Sequence, residues 1–152
     1  MSPKRLFGIV AIAEAITWTL LITGLILRAT AGLDLAATIG GGIHGFVFLA
    51  YAGISLLVGI DRRWQPRLVV IAVVSAVIPY ATIPVDIWLH RRGKLDGQWR
   101  REPDPLAPDR SFLDGVVRWF VRRPGVLVAV FAVVLVAIFV TLLVIGPPGG
   151  RH

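Results

Sequence analysis

"IAVVSAVIPYATIPVDIWL", residues 71–89, is apolar enough to lie in a bilayer, yet it carries Pro79 and Pro84. Proline removes a backbone donor and clashes with the preceding helical turn, so this run cannot be an uninterrupted helix. Two readings are open. In one, a kinked helix crosses the membrane from Leu68 to Leu89. In the other, the chain turns at the prolines and returns to the side it came from. Two legs of about 11 residues would each rise only ~16 Å, and non-helical backbone at that depth must be shielded by protein or water.

Three neighbouring runs set the context: Leu6–Leu27, Ile39–Ile60 and Gly125–Ile145. Each is long enough for a hydrocarbon core of about 30 Å, which takes roughly 20 helical residues. Of the 152 residues, 56% are hydrophobic, and the mean hydropathy is +0.77. A soluble domain of this size has too little interior for so much Val, Leu, Ile and Ala. Backbone groups in lipid must be paired within the segment, so the runs are predicted to be helices. The expected fold is all-α: a multi-spanning helical membrane protein with a three-helix core bundle and a fourth transmembrane helix.

The first run follows "SPKR" and precedes "ATAG", as in a secretory signal, but it is longer than a signal core and contains Glu14. It is read as a retained span. The organisation expected is a membrane domain over residues 1–92, with spans at about 6–27, 39–60 and 68–89. A basic, Pro/Asp-rich solvated linker follows over 93–110, then an amphipathic helix over 111–123, a fourth span over 124–146 and a tail over 147–152. Ser111 and Asp114 have capping-box-like spacing. Phe112, Leu113, Val116, Val117, Phe120 and Val121 share one helical face. Arg118 and Arg122, with Arg123 beyond them, suit an interfacial helix facing anionic headgroups.

The net charge of +7 comes from 16 Lys and Arg against nine Asp and Glu. The basic residues lie between apolar runs rather than along one face. That is the pattern of a membrane protein setting its orientation, not of nucleic-acid binding. Four simple crossings divide the basic residues six to ten, in the wrong sense for an inside N-terminus. Re-entry of 68–89 divides them fourteen to two. The chain has no cysteine, which excludes disulfides, thiolate metal sites and cysteine nucleophiles.

Ionisable residues inside spans are expensive and mark candidate sites. Glu14, His44 and Asp86 stand out, with Tyr80 beside them. Each belongs to a patterned helix face. Phe7, Ala11, Glu14 and Trp18 share one, with Thr17 adjacent; His44, Phe48, Tyr51 and Ser55 form a second; Ser75, Pro79, Thr82 and Asp86 form a third. Facing one another, these stripes make a small polar core. Counting from the expected helix ends puts His44 and Asp86 within roughly 8 Å of one surface, close enough to pair, and Glu14 about 13 Å deep. Gly41 and Gly45 form a G-x-x-x-G pair suited to close helix packing around His44. Trp18, Trp88 and Phe48 read as packing or interfacial anchors. No P-loop, H-E-x-x-H, S-x-x-K or G-x-S-x-G motif is present, so no catalytic residue, cofactor or metal site is expected.

"EAITWTLL", "GGGIHGFVFLAY" and "IPYATIPVDIWL", in that order and spacing, resemble the small bacterial integral membrane proteins named for a His-Gly signature. That YdzA-like family, domain of unknown function 3817, is common in actinobacteria and firmicutes. The resemblance covers about residues 4–92 and implies Glu14, His44, Gly45 and Asp86 as signature positions. The third signature reads "PYAT" here where the family has a motif closer to Pro-Phe-Gly-Thr. The resemblance implies a membrane architecture and carries no activity. Two roles are open: a non-enzymatic accessory or scaffold component of a membrane complex, with its polar stripes exposed for docking, or a small oligomeric transporter or proton/cation-linked conduit using Glu14, His44 and Asp86. The expected partners are the lipid bilayer, with anionic headgroups, and either further copies of the chain or a larger membrane complex. The expected location is the bacterial plasma membrane.

Overall fold

The computed structural model describes residues 1–102 and 112–145, all of its regular structure helical. The helices are α1 (Pro3–Ala31), α2 (Asp34–Asp61), α3 (Pro66–Ser75), α4 (Thr82–Arg91), α5 (Phe112–Arg122) and α6 (Pro124–Ile145). Three of them, α1, α2 and α6, are long and apolar enough to cross a membrane. Reading the chain as a helical, multi-spanning membrane protein therefore holds.

The first two spans are longer than their apolar runs. Ser2 caps α1 by accepting from the Arg5 amide at 3.3 Å, with Pro3 in the first turn, where its missing N–H costs nothing. Gly32 ends α1 in the left-handed region, and its amide and that of Leu33 return to Arg28 and Leu27 carbonyls. This is the glycine-terminated helix end that only a residue without Cβ adopts freely. The turn is so short that α2 begins at Asp34, five positions before Ile39, and Arg28 pairs with Asp34 at 2.9 Å across it.

The two helices then run back to back, and glycines set how closely. A Cβ at Gly24 would sit 2.5 Å from the Ala36 carbonyl oxygen, and one at Gly40 2.8 Å from that of Leu20. Gly41 and Gly45 do not make this contact. A Cβ on Gly41 would meet only the Leu21 side chain at 3.9 Å, and one on Gly45 the Phe139 ring of α6 at 3.9 Å. The close crossing of α1 and α2 is thus made by Gly24 and Gly40. Gly24→Ala is expected to destabilise the protein by about 1–3 kcal/mol, the cost of overpacking a tight contact. Gly42→Ala, with nothing within 4 Å, should leave the unfolding midpoint in detergent unchanged or slightly raised.

The run from Leu68 to Leu89 does not form one span. It divides into α3 and α4, joined by turns over 76–81. Leading away from the α2–α3 turn, Val69 lies against Gly59 and Ser75 meets Tyr51, so α3 descends alongside α2. Then Thr82 bonds the Ala11 carbonyl, Asp86 lies beside Gly8, and Asp96 pairs with Lys4. The chain is climbing back towards its own N-terminus. Trp64, at the start of α3, donates to the Lys94 carbonyl just after α4 at 2.9 Å. Entry and exit are on one side, and the segment is a re-entrant helical hairpin. The physical reason lies in the prolines. Pro79 has no N–H for the Ser75 carbonyl, the last bonds of α3 tighten to i−3 spacing at Ala76 and Val77, and Pro84 is tolerated only because α4 restarts two residues earlier. Ten helical residues rise ~15 Å, about half of a hydrocarbon core of about 30 Å.

Residues 93–102 also differ from a solvated linker. Leu95 is fully buried, Trp99 donates to the Met1 carbonyl at 2.8 Å, and Arg62 bonds the Asp96 carbonyl at 2.7 Å and that of Gln98. This stretch straps the hairpin to the end of α2. In α5, Val117 and Val121 are buried, Phe112, Leu113 and Trp119 are exposed, and the Arg123 guanidinium stacks 4.4 Å from the Trp119 ring centre. Asp114 is buried in an ion pair rather than free to cap; Ser111, the rest of the 103–111 stretch and the tail from 146 onwards lie outside the described residues. With 68–89 turning back, α6, expected as a fourth span, is the third helix long enough to cross; it leans on α2 through Phe131 over Gly53 and Phe139 against Phe46.

Candidate functional site

Two of the polar stripes turn inward, and the third, Ser75, Pro79, Thr82 and Asp86, is split between α3 and α4, with Pro79 exposed and Asp86 half-buried. Phe7, Ala11, Glu14 and Thr17 of α1, His44, Tyr51 and Ser55 of α2, and Ser75 and Thr82 of the hairpin are all buried. Each helix hands a hydroxyl to its neighbour. Thr82 donates to the Ala11 carbonyl at 3.0 Å and the Tyr51 and Ser75 hydroxyls meet at 3.3 Å, while Ser75 donates its own proton within α3, to the Ala72 carbonyl at 2.6 Å. Helices in lipid gain little from burying apolar side chains, so hydrogen bonds and close packing hold such an interface.

At its centre, Glu14, Thr17 and His44 come together. The Thr17 hydroxyl donates to the Glu14 carbonyl at 3.0 Å and lies 3.2 Å from His44 Nδ1. Glu14 Oε2 is 3.5 Å from that hydroxyl and 3.8 Å from His44 Nδ1. Glu14 has zero exposure, and its second oxygen, Oε1, has no hydrogen-bond partner. The Trp18 ring covers the imidazole at 4.4 Å between centres, with Phe48 on another side at 6.5 Å. Because α2 starts at Asp34, His44 lies ten residues in, about 15 Å along the helix and deeper than the roughly 8 Å that its apolar run suggests.

Asp86 is not part of this group. It pairs with His90 one turn along α4, at 3.4 Å, so the expected His44–Asp86 contact is replaced by His44–Glu14 and Asp86–His90. Tyr80 is also apart. It is 44% exposed at the hairpin tip, and its hydroxyl is 3.2 Å from that of Thr19. Among the described residues, no three His, Asp or Glu side chains gather as a metal site would require. The chemistry available to Glu14, Thr17 and His44 is proton exchange between a carboxyl and an imidazole, bridged by a hydroxyl.

A second polar group, at the membrane surface, escapes sequence reasoning. Asp61 is 1% exposed. It pairs with Arg62 at 2.8 Å, and its Oδ1 accepts from the Arg100 amide at 3.1 Å. The Arg100 side chain donates to the carbonyls of Asp61 and Ile60 and reaches buried Asp114 of α5 at 3.0 Å. The available signal was an aspartate at the end of an apolar run followed at once by two arginines. Its distant partner Arg100, 39 positions away, and the Asp114 that Arg100 bridges to carry no local signature.

The family model described as "Domain of unknown function (DUF3817)" matches residues 4–91. A relative in Streptomyces coelicolor, named "Putative membrane protein SCO5905", is 36% identical over 103 residues, which is 66% of this chain and 12% of that protein. The chain thus spans only a small part of the length of the curated relative it matches. No solved structure matches.

Proposed function

This chain belongs to the DUF3817 family, and we propose that it works as a non-enzymatic component of a larger assembly in the bacterial plasma membrane. The observation that carries this reading is the hairpin tip. Val77, Ile78 and Tyr80 are 61%, 56% and 44% exposed, at a depth where irregular backbone and hydroxyls facing lipid are costly. A transmembrane helix of another subunit, packed beside α1 under the hairpin, covers both. The exposed polar stripes that docking was expected to use are buried, so docking shifts to the tip. The S. coelicolor relative adds support, because there the matching segment is a minor part of a longer membrane protein. With both hairpin ends on the side of the N-terminus, thirteen of the fourteen basic residues among the described residues fall on that side, which supports its facing the cytoplasm.

The test is purification of the tagged chain from native membranes in mild detergent, with the particle's mass and composition determined. A stoichiometric second polypeptide is expected, and Ile78→Asp should release it while the chain stays folded; a homo-oligomer alone overturns this reading in favour of the conduit. A monomeric particle carrying lipid alone overturns the proposal.

A second reading, a proton- or cation-linked conduit, is favoured by one observation: the buried Glu14–His44 contact at 3.8 Å between two helices long and apolar enough to cross a membrane. Intramembrane carboxyl–imidazole pairs are the groups from which proton relays are built.

A further inference from the structure

Glu14 Oε1 has zero exposure around it and no donor, an arrangement that folded proteins rarely leave without a purpose. Its other oxygen faces Thr17 and His44. One proton shared by the carboxyl and the imidazole makes the pair neutral overall, the state an apolar interior holds at least cost. Among the described residues, no other titratable side chain bonds this pair. Tyr51 of α2 is committed to Ser75 and lies where it feels both Glu14 and Asp86. Asp86 of α4 faces His90, with Lys4 of α1 near enough to act on it. From α6, aromatic rings meet α2.

What separates Glu14 and His44 from the hairpin tip is Trp18. Its ring covers His44, and its indole N–H donates to the Ala76 carbonyl at 3.1 Å. That carbonyl is the one the Tyr80 amide would take in an unbroken helix; the proline-driven turn leaves it available. One residue further along α1, Thr19 bonds the Tyr80 hydroxyl, and Tyr80 is held at φ +63, a conformation that side chains other than glycine's rarely adopt. Two hydrogen bonds therefore fasten a locally strained tip over the site.

We propose that Glu14, Thr17 and His44 form a proton-binding site closed by the re-entrant tip, with Trp18 and Tyr80 as the latch that opens it. This deepens the conduit reading, resting on it only in taking Glu14 and His44 as the exchanging pair.

The test uses the full chain in proteoliposomes exposed to dicyclohexylcarbodiimide, which reacts with protonated carboxyls in apolar surroundings. Adduct on the Glu14 peptide is followed by mass spectrometry. Trp18→Phe keeps a ring over His44 and loses the bond to Ala76; Tyr80→Phe loses the bond to Thr19. Both are expected to label about tenfold faster than the unsubstituted protein, as the loss of one good hydrogen bond allows. Glu14→Gln abolishes the adduct. Trp64→Phe, which loses a comparable indole bond to Lys94 elsewhere, should label at the original rate. Equal labelling with and without the latch overturns the closure while leaving Glu14 as an exchanging group. Acceleration by Trp64→Phe as well reduces the effect to general loosening and also overturns it. No adduct in any variant overturns the site itself. Latch-dependent labelling without proton flux would sink the conduit reading and leave the site standing.

Discussion

Single cysteines placed at Gln65 and Lys94 are expected to react with a membrane-impermeant thiol reagent from the same face of the membrane, and one at Thr30 from the opposite face. The background is free of native cysteine, and all three positions are exposed. The outcome is all-or-none. Gln65 precedes α3 and Lys94 follows α4, so a full crossing between them would put the two on opposite faces. The re-entrant hairpin returns the chain, as the bonds from Trp64 to Lys94 and from Arg62 to Asp96 require. Labelling of Gln65 and Lys94 from opposite faces would overturn the hairpin, and with it both the shared tip and the assignment of the basic residues to one side. Labelling from the same face, on right-side-out and inverted vesicles in turn, also fixes the orientation.

The helices of this fold were legible because lipid imposes a length and an apolar composition on any span. The inward stripes were legible too, since 3.6-residue periodicity puts Phe7, Ala11 and Glu14 on one face whatever they meet. Direction was not legible. Pro79 and Pro84 announce a break, but kinking or turning back depends on what the carbonyls and hydroxyls of 75–82 find. They find Trp18, Tyr51 and Ala11, which are distant in sequence. Pairing failed for a related reason. His44 could be matched with either carboxylate until the true start of α2 was known, and that start is set by the Gly32 turn rather than by hydropathy. The glycines teach the same limit. G-x-x-x-G spacing singles out Gly41 and Gly45, whereas closeness is a relation between two helices, and the backbones that approach are those at Gly24 and Gly40.

Arg100→Ala is expected to be the most damaging substitution in this surface cluster, costing about 1.5–3 kcal/mol, as for the loss of hydrogen bonds from a charged donor. The magnitude follows from what Arg100 leaves behind. Asp114, 5% exposed, loses one of its partners, at 3.0 Å, and the Asp61 and Ile60 carbonyls lose a charged donor. Arg100 is itself partly exposed, with 26% of its side chain accessible, so solvent can soften the loss and the lower end of the range is the better expectation. Asp61 keeps Arg62 and the Arg100 backbone amide, so the core of α1, α2 and the hairpin should hold. The loss falls on the bond between that core and α5, and through α5 on α6, whose own contact with α2 is a row of aromatic rings over glycines. Limited proteolysis in detergent reads this directly: with Arg100→Ala the α5–α6 fragment should separate from a surviving core, whereas in the unsubstituted chain it stays bound. Asp114→Asn, which keeps the shape and a hydrogen-bond acceptor, should release less of it. If Arg100→Ala keeps the fragment bound as the unsubstituted chain does, the ion pair does not fasten the last two helices, and the packing of Phe131 and Phe139 on α2 is what holds them.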